Sequence, residues 1–151
     1  MQRHLLAVAA VACALTASHW VLAQNVPQGS IVVTPDKLTW KPSPRVAGVE
    51  TATLVSDSTK QGPYIERIRF PANFKVQPHT HPEERTYTIL SGTWYVGWGD
   101  KFDEAKLISL PAGSFYTEPA NVAHFVATRG DGAVIQLSGT GPTATKMLEA
   151  K

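Results

Sequence analysis

Apolar and polar residues alternate in short runs along most of the chain after residue 50. In residues 64–70, Tyr64 and Glu66 fall on one face of an extended strand and Ile65 falls on the other, because successive side chains point to opposite faces. Similar runs occur at 51–55, 86–90, 93–98, 105–110, 114–117, 122–128 and 133–137. Gly, Pro, Asn or Asp separates most of them, as is typical of turns. Many short, evenly spaced strands predict an all-β sandwich or small barrel.

The other local signals concern a turn, an arm and the tail of the chain. Ser91–Gly92 lies between two of the strand-like runs and predicts a hairpin turn. Residues 24–50 are rich in Pro, Gly and Ser, and short strands are predicted within them at 31–33 and 38–40. We interpret this region as an N-terminal arm that lies across a sheet. Only residues 144–150 show a helical period.

The first 23 residues have the three-part pattern of a secretory signal peptide. Arg3 gives a basic start, residues 5–15 are almost unbroken apolar sequence, and Val21-Leu22-Ala23 precedes a cleavage site. The apolar run is shorter than the roughly 20 residues of a spanning helix, so no stable membrane span is expected. Cleavage after residue 23 predicts a periplasmic or secreted protein. The alternatives are a retained N-terminal anchor and a lipoprotein acylated at Cys13.

Length and composition narrow the function further. The 151 residues suffice for one domain, which we predict as a barrel over residues 51–151. The formal net charge of +2, without clustered basic residues, argues against a nucleic-acid partner. Removal of residues 1–23 takes away the only cysteine, which excludes disulfides and a thiol nucleophile from the mature chain. The histidines that then remain are His79, His81 and His124.

Two of these histidines stand two residues apart. Residues two apart in an extended strand point the same way, so His79 and His81 can share one ion. Zinc, iron, manganese and nickel all accept imidazole nitrogens. Pro78 and Pro82 bracket the pair and favour the end of a strand over its middle.

The sequence around this pair resembles the first conserved motif of the cupin superfamily. The resemblance rests on His79-x-His81, on the Glu83-Glu84-Arg85 that follows, and on the β-branched run that ends at Gly92.

The second cupin motif reads Gly, five residues, Pro, x, Gly, two residues, His. This chain has Gly113, Pro119, Asn121 and His124 at those places. Asn121 replaces the second Gly, and Asn is well able to adopt a left-handed turn. Glu118, beside the proline, is interpreted as a solvated loop charge. The two motifs occur in order, and the resemblance covers residues 62 to about 138.

The resemblance implies a double-stranded β-helix, or jelly-roll barrel, with its ligand site inside. It also implies that His79, His81 and His124 bind one metal ion. The family's fourth ligand is a Glu four residues after the second His, and this chain has Arg85 at that position. A guanidinium cannot bind a cation.

Several interpretations of Arg85 stay open. Glu83 or Glu84 would supply a fourth metal ligand after a local shift of the strand. Alternatively, the site has three histidines, and Arg85 holds a carboxylate or enolate substrate. Arg85 could also point outward, or mark a cupin that has lost its metal. Tyr87 shares the strand face of His81 and is predicted as a pocket wall with a polar tip.

These observations predict a small exported metalloenzyme, dioxygenase-like, that acts on an oxygenated or carboxylated compound. Its cofactor would be one divalent transition metal: Fe, Mn, Ni or Zn. Arg85, Glu84 and Tyr87 are the candidate substrate-contacting residues, and Glu83 is the candidate additional ligand. The alternative is a non-catalytic module that binds a small molecule or a metal, because the fold hosts both. The resemblance also implies a possible homodimer.

Overall fold

The computed structural model describes residues 26–148, so the predicted signal peptide at 1–23 lies outside the described residues. The described residues belong to two units, divided between Ser30 and Ile31. Within the described residues, no helix has the length and apolar character needed to cross a membrane.

The second unit is built almost entirely from antiparallel β-strands. The strands are β1 (Lys41–Pro42), β2 (Glu50–Val55), β3 (Gly62–Phe70), β4 (Lys75–Thr80), β5 (Arg85–Trp98), β6 (Ile108–Pro111), β7 (Phe115–Glu118), β8 (His124–Ala127), β9 (Ala133–Gly141) and β10 (Lys146–Met147). Two short 3₁₀ helices occur at Pro35–Lys37 and Glu104–Lys106. The predicted all-β class is confirmed.

The strands curl into two sheets that share β5. One sheet has the order β1-β2-β3-β9-β5-β7, and the other has the order β10-β4-β8-β5-β6. Strands that are distant in the sequence, such as β3 and β9, lie side by side. These crossing connections form a jelly-roll barrel, so the predicted double-stranded β-helix is confirmed.

A single 14-residue strand, β5, carries the chain from one sheet into the other. The predicted hairpin turn at Ser91–Gly92 is therefore wrong. The register of β5 with β9 shifts between Ile89 and Ser91, and Gly92 has a φ of 72°. A Cβ atom at Gly92 would lie 2.1 Å from the carbonyl oxygen of Gly132. The glycine serves a bulge that bends the strand, and not a turn that reverses it.

The arm and the tail also differ from expectation. Residues 31–33 and 38–40 form no strand, and the arm instead pairs with β2 through the short strand β1. The described part of residues 144–150 forms β10 beside β4, so the helical interpretation of the tail is wrong there.

The core follows the alternation of the strands. Along β3, Tyr64, Glu66, Ile68 and Phe70 are buried and the residues between them are more exposed. Phe70 packs against Trp94 with 4.6 Å between ring centroids. The buried apolar cluster consists of Val49, Tyr64, Ile68, Phe70, Val76, Tyr87, Ile89, Trp94, Val96, Val126, Ala133, Ile135 and Leu137.

Candidate metal centre

Three histidine side chains meet in the interior of the barrel. His79 on β4 is paired in register with His124 on β8, and His81 directly follows β4. The nitrogens that could bind an ion all lie within 4.8 Å of one another. The ring centroids are 4.2 to 5.0 Å apart, and each residue is at most 5% exposed. The structure thus brings together the three histidines that the sequence singled out.

Each of these rings is oriented by a backbone carbonyl that accepts from its Nδ1. The carbonyls belong to Gln77 for His79 (2.8 Å), Ala144 for His81 (2.8 Å) and Val122 for His124 (3.0 Å). A carbonyl only accepts, so Nδ1 carries the proton in each ring. In a neutral ring, Nε2 is then left with its lone pair free for a metal ion. Such anchoring of the second nitrogen is the rule for metal-binding histidines.

The surroundings keep two of the rings neutral. Burial lowers the pKa of His79 to about 4, and the neighbouring His124 adds to the effect. Burial also lowers the pKa of His81 to about 2, with a further contribution from the charge of Arg85. Both imidazoles are therefore uncharged at neutral pH, with the proton on Nδ1, and this is the form that binds a metal.

Arg85 is buried at the start of β5 and does not point outward. Its Nε donates to Glu83 Oε1 at 2.7 Å, and its Nη2 donates to the Ala144 carbonyl at 3.2 Å and to the Thr143 hydroxyl. Its Nη1 has only a long contact of 3.5 Å with the Tyr87 hydroxyl. Two of the three guanidinium nitrogens, Nε and Nη2, are thus fixed, and Nη1 is the nitrogen with the most donor capacity left.

Arg85 and Glu83 form a charged pair. Burial acts against the charge of Arg85, but nearby Tyr87, Tyr64 and Glu83 outweigh it and raise the pKa. Burial likewise acts against the charge of Glu83, but hydrogen bonding from Thr143 and the charge of Arg85 lower its pKa. Both groups are charged at neutral pH.

The structure does not place the two predicted glutamates with the histidines. Glu83 Oε1 accepts from Tyr64 at 2.9 Å and from Arg85 and Thr143, which hold it away from the histidine cluster. Glu84 is exposed. Among the described residues, the group whose ligand atoms all lie within 4.8 Å of one another contains His79, His81 and His124, and neither Glu83 nor Glu118.

A carboxylate that the sequence analysis assigned to a solvated loop lies at the site instead. Glu118 ends β7 and is 3% exposed. Its Oε1 is 3.3 Å from His124 Nε2 and accepts a hydrogen bond from the Tyr116 hydroxyl at 3.1 Å. Its Oε2 accepts from the Tyr87 hydroxyl at 2.6 Å. The adjacent proline suggested a loop, and only the pairing of β7 with β5 shows that Glu118 faces inward.

Tyr87 and Tyr116 form a stacked pair behind this carboxylate. Their ring centroids are 4.6 Å apart with an interplanar angle of 8°. Burial, with the charge of Glu118 next, raises both phenol pKa values well above the usual range, so both hydroxyls remain donors. Trp94 Nε1 donates to the Tyr116 hydroxyl at 2.9 Å. Tyr87 therefore has the predicted position on the pocket wall, with its polar tip committed to Glu118.

The histidines open into a cavity of about 50 Å³. Arg85, Tyr87 and Glu118 also line it, and the remaining wall is mostly apolar. The N-terminal arm contributes to the wall as well, through Ser43, Arg45 and Val46. Arg45 donates to Glu66 and to Ser58 Oγ, the latter at 3.1 Å, and so holds the arm against β3. Sequence reasoning had no signal for this contribution, because it depends on contacts between distant segments.

The donor set fits a divalent transition metal. His124 Nε2 is buried and has no hydrogen-bond partner among the described residues. An unpaired buried nitrogen costs about 1–3 kcal/mol, so its retention calls for a compensating partner. Three imidazole nitrogens with anchored Nδ1 atoms match the ligands preferred by zinc, iron and nickel.

Comparison with known proteins agrees with the fold. The structure is similar to the polyketide cyclase RemF from Streptomyces resistomycificus, with a TM-score of 0.67 and 12% identity over 80% of this chain and 86% of that one. It is also similar to an RmlC-like cupin from Shewanella frigidimarina (TM-score 0.57, 15% identity, 72% and 87% covered). A third similar structure is a salicylate 1,2-dioxygenase from Pseudoaminobacter salicylatoxidans (TM-score 0.56, 14% identity, 68% and 30% covered). At these identities the likeness shows the fold alone.

Sequence comparison identifies the family. No functionally curated protein matches this chain significantly. The family model of the ChrR cupin-like domain matches residues 28–144, which include both motifs and all three histidines. With the jelly-roll barrel and the buried histidine cluster, this match shows that the chain belongs to the ChrR cupin-like domain family of the cupin superfamily.

Proposed function

We propose that the protein is an exported, metal-dependent enzyme, dioxygenase-like in its chemistry, that acts on a small oxygenated or carboxylated compound. The observation that carries this proposal is the buried cluster of three histidines whose Nδ1 atoms are all anchored. Histidines retained only for packing would have both ring nitrogens satisfied, whereas His124 Nε2 has no partner among the described residues.

The charges around the cavity favour an anionic ligand. Arg85 is positive, and Glu83 and Glu118 are the carboxylates in contact with the site. A divalent ion bound by neutral histidines would leave the centre with a formal charge of about plus one, which suits a monoanion such as a carboxylate or an enolate.

The volume limits the size of the compound. A water molecule needs roughly 10–15 Å³ of such space, so the cavity of about 50 Å³ holds a few water-sized groups. A ligand of a few heavy atoms fits, and a larger one requires the arm at Ser43–Val46 to move aside.

Each residue then has a definite role. A bound divalent ion would supply a Lewis acid that polarises a carbonyl, or open positions for oxygen and substrate together. Arg85 would orient the anion through Nη1, because its other nitrogens are fixed by Glu83, Thr143 and Ala144. Tyr87 would act as a wall, since its hydroxyl is already bonded to Glu118. The apolar wall would exclude bulk water.

Export is proposed from the sequence pattern of residues 1–23. A chain cleaved after residue 23 contains no cysteine. The oxidising conditions outside the cytoplasm would therefore find no thiol to oxidise. Sequencing the N-terminus of the protein recovered from the periplasm or medium would test this, and Gln24 is the expected first residue.

The decisive test of the enzyme proposal is metal content, followed by turnover. Elemental analysis of the purified protein should give about one equivalent of Fe, Mn, Ni or Zn, with loss in His79→Ala and His124→Ala. The loaded protein should then consume oxygen, or deplete the added compound, when it is offered hydroxy or oxo acids of a few heavy atoms. Ser109→Ala, on β6, is the matched control and should retain the metal.

Two outcomes would change the conclusion. A parent protein that takes up no metal, even after reconstitution, would refute the metalloenzyme. Stoichiometric metal with no turnover across the panel would favour the alternative, a module that binds a metal or a small molecule without catalysis.

A further inference from the structure

We propose that Glu118 is the carboxylate ligand of the metal centre, and that it replaces the Glu whose position Arg85 occupies. This inference rests on the proposed metal centre and adds a fourth protein ligand to it. Three observations support it: the register of β5 with β7, the contact between Glu118 and His124, and the positions of the other nearby carboxylates.

The register places Glu118 directly beside the altered position. Arg85 on β5 is paired with Glu118 on β7, and Tyr87 is paired with Tyr116. Paired residues on neighbouring antiparallel strands point to the same face, with Cβ atoms about 4.5–5.5 Å apart. A carboxylate on the neighbouring strand can therefore reach the region that a carboxylate at position 85 would have reached.

The contact with His124 requires a positive species between the two atoms. The Nδ1 proton of His124 is donated to the Val122 carbonyl, so in the neutral ring Nε2 presents a lone pair. Glu118 Oε1, also an acceptor, is 3.3 Å away. Two buried acceptors at this distance repel each other unless a proton or a cation lies between them. A proton would satisfy only this pair, whereas a metal ion would also engage His79 and His81.

The separation agrees with a shared ion. Two ligand atoms bound tetrahedrally to one zinc ion, each at about 2.0–2.2 Å, lie roughly 3.3 Å from each other. Glu118 Oε1 and His124 Nε2 have this separation. Glu118 is not within 4.8 Å of all three histidines, so an ion bound by them would have to draw the carboxylate closer. The carboxylate is also oriented from behind, because the Tyr87 and Tyr116 hydroxyls each donate to one of its oxygens. Such outer contacts are typical of metal-binding carboxylates.

The other nearby carboxylates are held elsewhere. Glu83 Oε1 accepts from Arg85, Tyr64 and Thr143, while Glu83 Oε2 has no hydrogen-bond partner among the described residues; Glu66 is bonded to Arg45. Neither has a recorded contact with a histidine among the described residues.

The test compares Co²⁺ and Zn²⁺ binding by the parent, Glu118→Gln and Glu83→Gln proteins. Calorimetry or chelator competition gives the dissociation constants, and the visible absorption of bound Co²⁺ reports its ligands. Glu118→Gln should raise both dissociation constants by about tenfold to a hundredfold and should change the visible absorption bands of bound Co²⁺. Glu83→Gln makes the same chemical change in the partly buried rival carboxylate, and its dissociation constants should stay within about threefold of the parent.

A second variant, Tyr87→Phe, tests the proposal independently if Glu118→Gln does not fold. Tyr87→Phe keeps the carboxylate but removes one of the hydroxyls that orient it. It should raise the Co²⁺ dissociation constant by about tenfold, in line with the usual effect of outer-shell contacts. Urea unfolding of each variant without metal establishes that the barrel is intact.

Each remaining outcome overturns a specific statement. Parent-like binding by Glu118→Gln, or by Tyr87→Phe if Glu118→Gln does not fold, would refute Glu118 as a ligand and leave a centre of three histidines. A larger loss in Glu83→Gln than in Glu118→Gln would do the same. A parent that binds neither Co²⁺ nor Zn²⁺ would refute the proposed metal centre itself.

Discussion

Acid should destabilise the metal-free protein through two histidines of the site. The pKa of His79 is lowered to about 4 and that of His81 to about 2, mainly by burial, whereas histidine in an unfolded chain titrates near 6.5. Between these values the unfolded chain binds more protons than the folded protein does. The stability that comes from keeping both rings neutral is therefore complete above about pH 6.5 and is lost as the pH falls towards the folded pKa values.

The size of the effect follows from the shifts. Each pH unit in this window costs about 1.4 kcal/mol for each histidine. From about pH 6.5 to 4.5, the two rings together should lower the free energy of unfolding by up to about 5 kcal/mol. Domains of this kind have total stabilities of roughly 5–15 kcal/mol, so the loss should be plain.

Urea unfolding of chelator-treated protein, followed by tryptophan fluorescence, measures this dependence. The control is the His79→Gln/His81→Gln double variant, which cannot take up these two protons. Its free energy of unfolding should fall much less over the same pH range, and the difference between the two curves isolates the histidines. Parallel curves for the parent and the double variant would refute the reasoning.

Two further predictions concern the scaffold. Gly92→Ala should lower the free energy of unfolding by urea by about 2–3 kcal/mol or more. The added Cβ would lie 2.1 Å from the Gly132 carbonyl oxygen, and the backbone φ of 72° disfavours a side chain. A loss below about 0.5 kcal/mol would contradict the bulge. Arg45→Met should cost about 3–5 kcal/mol, because it leaves Glu66 buried without its cation. The Arg45→Met/Glu66→Leu double variant should recover much of that loss, and no recovery would show that the arm is held by other contacts.

Local sequence patterns located several barrel strands and the three histidines, but not the arm or the tail. Alternation placed β2 and β3 within two residues of their observed bounds, because side chains that face a core must be apolar at every second position. The spacing of His79 and His81 allowed a shared ion, and the resemblance to the two cupin motifs identified them and His124 as candidate ligands.

The missed features all depend on long-range pairing. Ser91–Gly92 has the composition of a hairpin turn, and the same composition also suits a bulge in a long strand. Glu118 precedes a proline and is polar, so nothing local distinguishes it from a loop charge. Its burial follows from the pairing of Glu118 with Arg85, which lies 33 residues earlier in the sequence. The residues of the tail alone predict a helix, whereas β10 forms because it pairs with the edge of β4.

One carbonyl oxygen sets the order in which the site can be completed. The backbone oxygen of Ala144 accepts from both His81 Nδ1 and Arg85 Nη2, so a single atom orients a candidate ligand and the candidate anion-binding group. Ala144 is synthesised after every strand from β1 to β9, and its contact with His81 spans 63 residues of sequence. Strands β1 to β9 can thus pair before the His81 imidazole is aligned. A nascent chain that has not yet released Ala144 would carry all three histidines, but His81 would lack its carbonyl partner, which defers the complete ligand geometry until residue 144 has been added.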